Sequence, residues 1–146
     1  MATRAPGHLI DSAPGAALKC LIGIRTGLAV GVLAAPRLSA RLFGMDPVAQ
    51  PAITYLARLF GIRNGALAFG LARLDTQRDP RAFVALNVGI DLTDAAAGLL
   101  AARRRELSAR TTALVVGTAL VAAALGVTAR TQVATRELAG AAAERG

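Results

Sequence analysis

The sequence predicts an all-α protein, a four-helix transmembrane bundle, and three observations lead there. The 19 residues from Thr111 to Ala129 carry no charge and lie between Arg110 and Arg130. Apolar residues make up 54% of the chain and the mean hydropathy is +0.50, above the roughly 45–50% apolar content of soluble domains. Most of the arginines fall between apolar stretches, as they do in loops that flank membrane spans.

At 146 residues the chain has room for one domain. Residues 1–15 read as an N-terminal tail carrying His8. The first apolar stretch, 16–35, has the length of a span but contains Lys19 near its start and Arg25 at its middle. It resembles a signal peptide in having a basic residue before it and Leu33-Ala34-Ala35 at its end. Arg25 argues against cleavage, because a cleavable signal needs an uninterrupted apolar region. Pro36, Arg37 and Arg41 then stop the helix, and Pro47 and Pro51 lead into the second stretch, 52–71.

Asp75, Asp79 and Pro80 break the chain before the third stretch, 83–102, which Arg103, Arg104, Arg105 and Glu106 end. The fourth, 111–129, has the strongest signal, since about 20 residues at 1.5 Å each cross a hydrocarbon core of about 30 Å. Residues 131–146 read as a polar, Ala-rich tail or a frayed helix end. With four spans, Arg4, Arg73, Arg78, Arg81, Arg130, Arg136 and Arg145 lie on one side. Arg37, Arg41, Arg103, Arg104, Arg105 and Arg110 lie on the other, so the positive-inside rule favours internal termini only marginally. The expected location is a multi-pass cell membrane, specifically the bacterial inner membrane. A soluble bundle of Ala-rich helices with buried ion pairs would give similar strings, and cell fractionation separates the two.

Composition also excludes chemistry. The net charge of +8 does not point to nucleic acid, because there is no Trp, one Tyr and four Phe, too few for a basic face interleaved with stacking aromatics. Cys20 and His8 are each alone, so there is no intramolecular disulfide, no CxxC motif, and no conventional zinc or haem site. No cofactor or metal is expected. The expected partners are the bilayer, a lipophilic small molecule, and a second copy or a membrane subunit.

What remains is the charge inside the apolar stretches. Arg25, Arg63, Asp91 and Asp94 all fall near the middle of their spans. An ionised side chain at a helix centre costs about 2.5–3.5 kcal/mol to insert, so four isolated ones would cost on the order of 10–14 kcal/mol. They must therefore be partnered. Asn87, Asp91 and Asp94, at i, i+4 and i+7, share one stripe of the third helix. If the second and third helices form an antiparallel hairpin with Arg63 level with Asp91, Arg58 lies near Asp94 and two arginines meet two aspartates. Arg58 can instead snorkel to the interface. Lys19 is expected to snorkel, and Tyr55 to anchor at the interface.

The first two helices carry related runs, Gly23-Ile24-Arg25-Thr26-Gly27 and Gly61-Ile62-Arg63-Asn64-Gly65, with Gly89-Ile90-Asp91 in the third. Gly23, Gly27 and Gly31, like Gly61 and Gly65, follow a small-xxx-small pattern that lets helices approach closely. Asp91 and Asp94 are the candidate acid and base, and Arg25, Arg58, Arg63, Asn64 and Asn87 the candidate binding residues. Three roles suit such a set. The first is a structural, ligand-binding or partner-binding network; the second is an isomerase, cyclase or hydrolase acting on a lipophilic molecule; the third is proton or solute transport.

The run from Arg58 through Gly61-Ile62-Arg63-Asn64-Gly65 to Gly70, followed by Asp91-Leu92-Thr93-Asp94, resembles an uncharacterised actinobacterial family of four-helix integral membrane proteins. That family is similar in outline to the DoxX-like proteins. The resemblance covers roughly residues 16–130 and implies a four-helix membrane bundle with Arg58, Arg63, Asp91 and Asp94 at its recurring polar positions. The DoxX-like relatives imply quinone-coupled redox chemistry with partner subunits, for which this sequence holds no cofactor motif.

Overall fold

The computed structural model describes residues 15–143 and Arg145. The expected N-terminal tail with His8 lies outside the described residues, Gly15 excepted. Among the described residues every regular element is helical: α1 Ala16–Ala34, α2 Pro36–Leu42, α3 Ala52–Ala72, a 3-10 turn at Leu74–Thr76, α4 Pro80–Arg103 and α5 Ala109–Ala143.

The breaks follow local chemistry. Proline disfavours helical geometry in the residue before it, and α1 ends at Ala34, leaving Pro36 at the first position of α2. Ser39 then folds α2 back by donating its Oγ to Gly31 O at 3.0 Å. Gly44, at φ +79, closes α2 in a Schellman pattern, with Gly44 N donating to Arg41 O and Met45 N to Ala40 O. Asp79 caps α4 by accepting from Ala82 N at 2.9 Å, with Pro80 in the first helical position. Ser108 caps α5 by accepting from Thr111 N at 3.1 Å.

Of these helices α1, α4 and α5 are long and apolar enough to cross a membrane. α3, at 21 residues, has the length, but Arg58, Arg63 and Asn64 lower its hydropathy. α5 does not stop with the uncharged run. Residues 131–143, expected as a tail or frayed end, continue the helix, and Arg81 Nη2 ties that extension to α4 by donating to Ala134 O at 3.2 Å.

α4 packs along α5, α1 along α3, and α1 also meets α5. α3 and α4 run antiparallel, as expected of the second and third helices, but they barely touch. The reason is that a space lies between their facing halves. At one end, Leu18, Leu21, Leu71, Leu74, Val84, Ala122 and Ala129 form a closed apolar core, with Phe83 and Leu125 packed against it. The other end holds the space.

Glycine placement corrects a second expectation. Gly61 sits so close to α1 that an added Cβ would lie 3.1 Å from Leu33 Cγ and 3.4 Å from Ala29 O, so the α3 pattern does serve close packing. Gly23, Gly27 and Gly31 have nothing within contact range and face outward. It is Ala29, on another face of α1, that meets α3.

Candidate functional site

Beside the apolar core the bundle buries several polar groups, while many large apolar side chains face outward. Arg25 (2% exposed), Asn64, Asn87 (0%) and Asp91 are buried, whereas Val30, Leu59, Ile62, Phe69, Leu92, Leu99, Val121 and Val127 are exposed. The buried polar groups form a layer between the apolar core and the open end.

Arg25, on α1, is the centre of that layer. Its Nη2 donates to Asp91 Oδ2 at 2.8 Å and its Nη1 donates to Asn64 Oδ1 at 3.0 Å, so one guanidinium joins α1, α3 and α4. Asn64 is held for this role by its own helix, since its Nδ2 donates to Phe60 O at 3.0 Å. Asp91 uses one oxygen on Arg25 and, among the described residues, makes no hydrogen bond with the other. Beside this group Arg63 grips Asp94 with two parallel hydrogen bonds, Nη1 to Oδ1 at 3.0 Å and Nη2 to Oδ2, and its guanidinium lies 5.0 Å from the Phe60 ring. This second pair is part-exposed and spans the gap between α3 and α4.

The pairing differs from the sequence expectation. Asp91 is matched by Arg25 rather than Arg63, Asp94 by Arg63 rather than Arg58. Helical spacing fixes how deep each charge lies but not which way it points, and three arginines at similar depth leave the partners open. Arg58 does not join the network; it is exposed and lines a separate groove with Arg37, Arg41 and Thr54. Asn87 lies one turn behind Asp91. Its Nδ2 donates to Phe83 O at 2.9 Å, its Oδ1 has no partner, and it does not line the cavity.

Above the polar layer lies a cavity of about 410 Å³, walled by Ile24, Leu28 and Val32 of α1, Ile53, Leu56 and Phe60 of α3, Gly98 and Ala101 of α4, and Val115 and Ala119 of α5. Phe43, Met45 and Leu107, from the connections, close its far end. Arg25, Asn64, Asp91 and Asp94 are its only charged or amide lining groups. Its mouth is between α3 and α4, where the lining residues Leu56 and Ala97 are exposed. This cavity was not anticipated. Ile53, Leu56, Phe60 and Asn64, at i, i+3, i+7 and i+11, are the stripe that signals it, yet an apolar stripe facing a cavity reads the same as one facing lipid.

Among the described residues no group of three or more His, Cys, Asp or Glu side chains could hold a metal. An apolar cavity with a charge-balanced floor can seat a lipophilic molecule and offer its polar end donors and a carboxylate. No protein-family model matches the chain, and no curated protein or solved structure gives a significant match.

Proposed function

We propose that this chain is a multi-pass protein of a bacterial inner membrane, spanning it with α1, α3, α4 and α5, and that it binds a lipophilic small molecule carrying a neutral polar group. The carrying observation is that the Arg25–Asp91 bridge forms the floor of an otherwise apolar cavity whose mouth faces sideways between α3 and α4. α3 is included among the spans because its outward residues Tyr55, Leu56, Leu59, Ile62 and Phe69 are apolar or amphipathic and exposed. Its charge at Arg63 turns inward to Asp94. The resemblance of the Arg58–Gly70 run and Asp91–Asp94 to a four-helix membrane family points the same way.

The neutrality of the ligand follows from charge balance. Two arginines face two aspartates, so an ionic headgroup would add an uncompensated charge at low dielectric, where that is costly. A hydroxyl or carbonyl can instead take hydrogen bonds from Arg25 or give one to the open oxygen of Asp91.

The test uses three probes with the same tail of about ten carbons, an alcohol, a carboxylate and a primary amine, added to the purified protein in detergent. For a neutral-ligand cavity the alcohol raises the unfolding temperature most, and Ala57→Phe, which fills the cavity beside Phe60, removes that effect while the protein still folds. Equal effects from all three probes, or an unchanged response in Ala57→Phe, would overturn the assignment.

One observation favours a second reading, a membrane-embedded acid–base enzyme. Asp91 lines the cavity with one carboxylate oxygen not engaged by Arg25, and a carboxylate so situated can take a proton from a bound substrate. Conversion of a candidate lipophilic substrate by the wild type but not by Asp91→Asn, with both inserted equally, would select that reading over simple binding.

A further inference from the structure

Arg58 left the buried network, and its new surroundings define a second site. It projects from α3 into an open groove with Arg37 and Arg41 of α2, floored by Pro36 and Thr54. None of the three arginines has a salt-bridge or hydrogen-bond partner among the described residues, and no acidic side chain lines the groove. Three uncompensated guanidiniums at one place repel each other unless an anion lies between them. Guanidinium forks match phosphate oxygens with paired hydrogen bonds.

The flanking surface identifies the anion. Leu38 and Leu42, one residue after Arg37 and Arg41 respectively, are 57% and 63% exposed, and Val48 in the following loop is exposed as well. α2 therefore presents a basic row and an apolar row side by side, the pattern of a helix lying in a membrane interface. It sits at the point where α1 ends and α3 begins, which is headgroup depth if those helices span. Arg58 lies about 9 Å inside α3 at 1.5 Å per residue and faces away from the bundle, so its guanidinium must extend towards that same level. A free anion in water would account for the arginines but not for the exposed leucines beside them.

We propose that Arg37, Arg41 and Arg58 form a binding site for the phosphodiester of an anionic phospholipid, with the acyl chains lying against Leu38 and Leu42. A net-negative headgroup is required, because a zwitterionic one brings its own cation beside three guanidiniums. The site rests on the membrane reading above but is independent of the cavity and its ligand.

Membrane fractionation of the full chain comes first, since recovery in the soluble fraction would end both the membrane reading and this site. The protein is then reconstituted in an equimolar mixture of phosphatidylglycerol and phosphatidylcholine, and the ratio of the two lipids retained after mild extraction is read by native mass spectrometry. Wild type retains phosphatidylglycerol preferentially. Each of Arg37→Gln, Arg41→Gln and Arg58→Gln lowers the ratio about fivefold, the equivalent of about 1 kcal/mol per basic residue near an anionic surface. Three separate variants keep the test open should one fail to fold.

A triple Gln variant at Arg103, Arg104 and Arg105, at the same end of the bundle but outside the groove, leaves the ratio unchanged. An equal loss from that triple variant would reduce the effect to diffuse positive charge and overturn the site. So would an unchanged ratio in all three groove variants. Displacement of phosphatidylglycerol by millimolar inorganic phosphate would replace the lipid with a soluble anion and overturn the assignment too.

Discussion

Arg25 on α1 and Asp91 on α4 are joined by a 2.8 Å salt bridge, although their two helices make almost no other contact. The bridge crosses the bundle diagonally. It holds together the α1–α3 pair and the α4–α5 pair, which otherwise meet mainly through α1 and α5. A diagonal tie of this kind also keeps the cavity from collapsing, because α3 and α4 cannot close on each other without displacing it.

Removing one partner of this bridge is therefore expected to cost far more than replacing both. Asp91→Asn or Arg25→Met alone leaves a buried charge without compensation, and each should lower stability by about 3–5 kcal/mol. The double variant Arg25→Met with Asp91→Leu should recover most of that loss. Thermal unfolding of the four proteins in one detergent gives the coupling. If the single losses simply add in the double variant, the two groups do not act as a pair.

Arg63 and Asp94 supply a second test. Their pair is part-exposed at the cavity mouth, yet at mid-span depth neither water nor headgroups replace a lost partner, so Asp94→Ala is expected to cost about 2.5–3.5 kcal/mol, the insertion cost of the arginine left alone. Arg63→Lys should recover only part of the stability lost in Arg63→Ala, since a lysine balances the charge of Asp94 but can neither form both hydrogen bonds to the carboxylate nor set a planar cation over Phe60. Full retention of stability in Arg63→Lys would show that charge alone matters there.

These two pairs mark how much of the site was legible in the sequence. That Arg25, Arg63, Asp91 and Asp94 must be satisfied inside a bundle followed from the cost of inserting them. Which arginine met which aspartate did not, because spacing along a helix gives depth while the partner depends on rotation about the helix axis. The same ambiguity hid the outward turn of Gly23, Gly27 and Gly31 and the inward turn of Ile53 and Phe60. In lipid, a residue facing a cavity and one facing the bilayer have the same hydropathy. Helix ends were more readable, since Pro36 and the Asp79-Pro80 pair act through the backbone. The Ala-rich stretch after Arg130 was not: alanine favours the helix, but without an apolar stripe the sequence does not show the contact with α4 that holds it.

Asn87 offers a test of where the site ends. It is wholly buried, and among the described residues its side chain hydrogen-bonds only to Phe83, one turn back on its own helix, leaving its Oδ1 unsatisfied. A buried polar atom left without a partner costs about 1–3 kcal/mol. Asn87→Leu, close in size, should therefore unfold at the same temperature as wild type or above it, and should leave alcohol-probe binding intact. A lower unfolding temperature, or lost binding, would place Asn87 within the working network.

The ends of α2 and α4 supply a prediction of opposite signs. Both close with a residue in the left-handed region, Gly44 at φ +79 and Arg105 at φ +59. Arg105 completes the same pattern as Gly44, with Arg105 N donating to Ala102 O and Glu106 N to Ala101 O. An L side chain in that region costs about 1–2 kcal/mol. Gly44→Ala should lose at least that, because the new Cβ would also stand 2.8 Å from Thr111 Oγ1 and push apart the hydrogen bond from Thr111 Oγ1 to Gly44 O. Arg105→Gly removes the strain already present and should gain about 0.5–1 kcal/mol, less than the full relief because glycine also frees the unfolded chain. Unfolding temperatures of the two variants, measured side by side, should move in opposite directions. A stabilised Gly44→Ala would show that the tie between the α2 end and the start of α5 is dispensable, and with it the closed end of the cavity formed by Phe43, Met45 and Leu107.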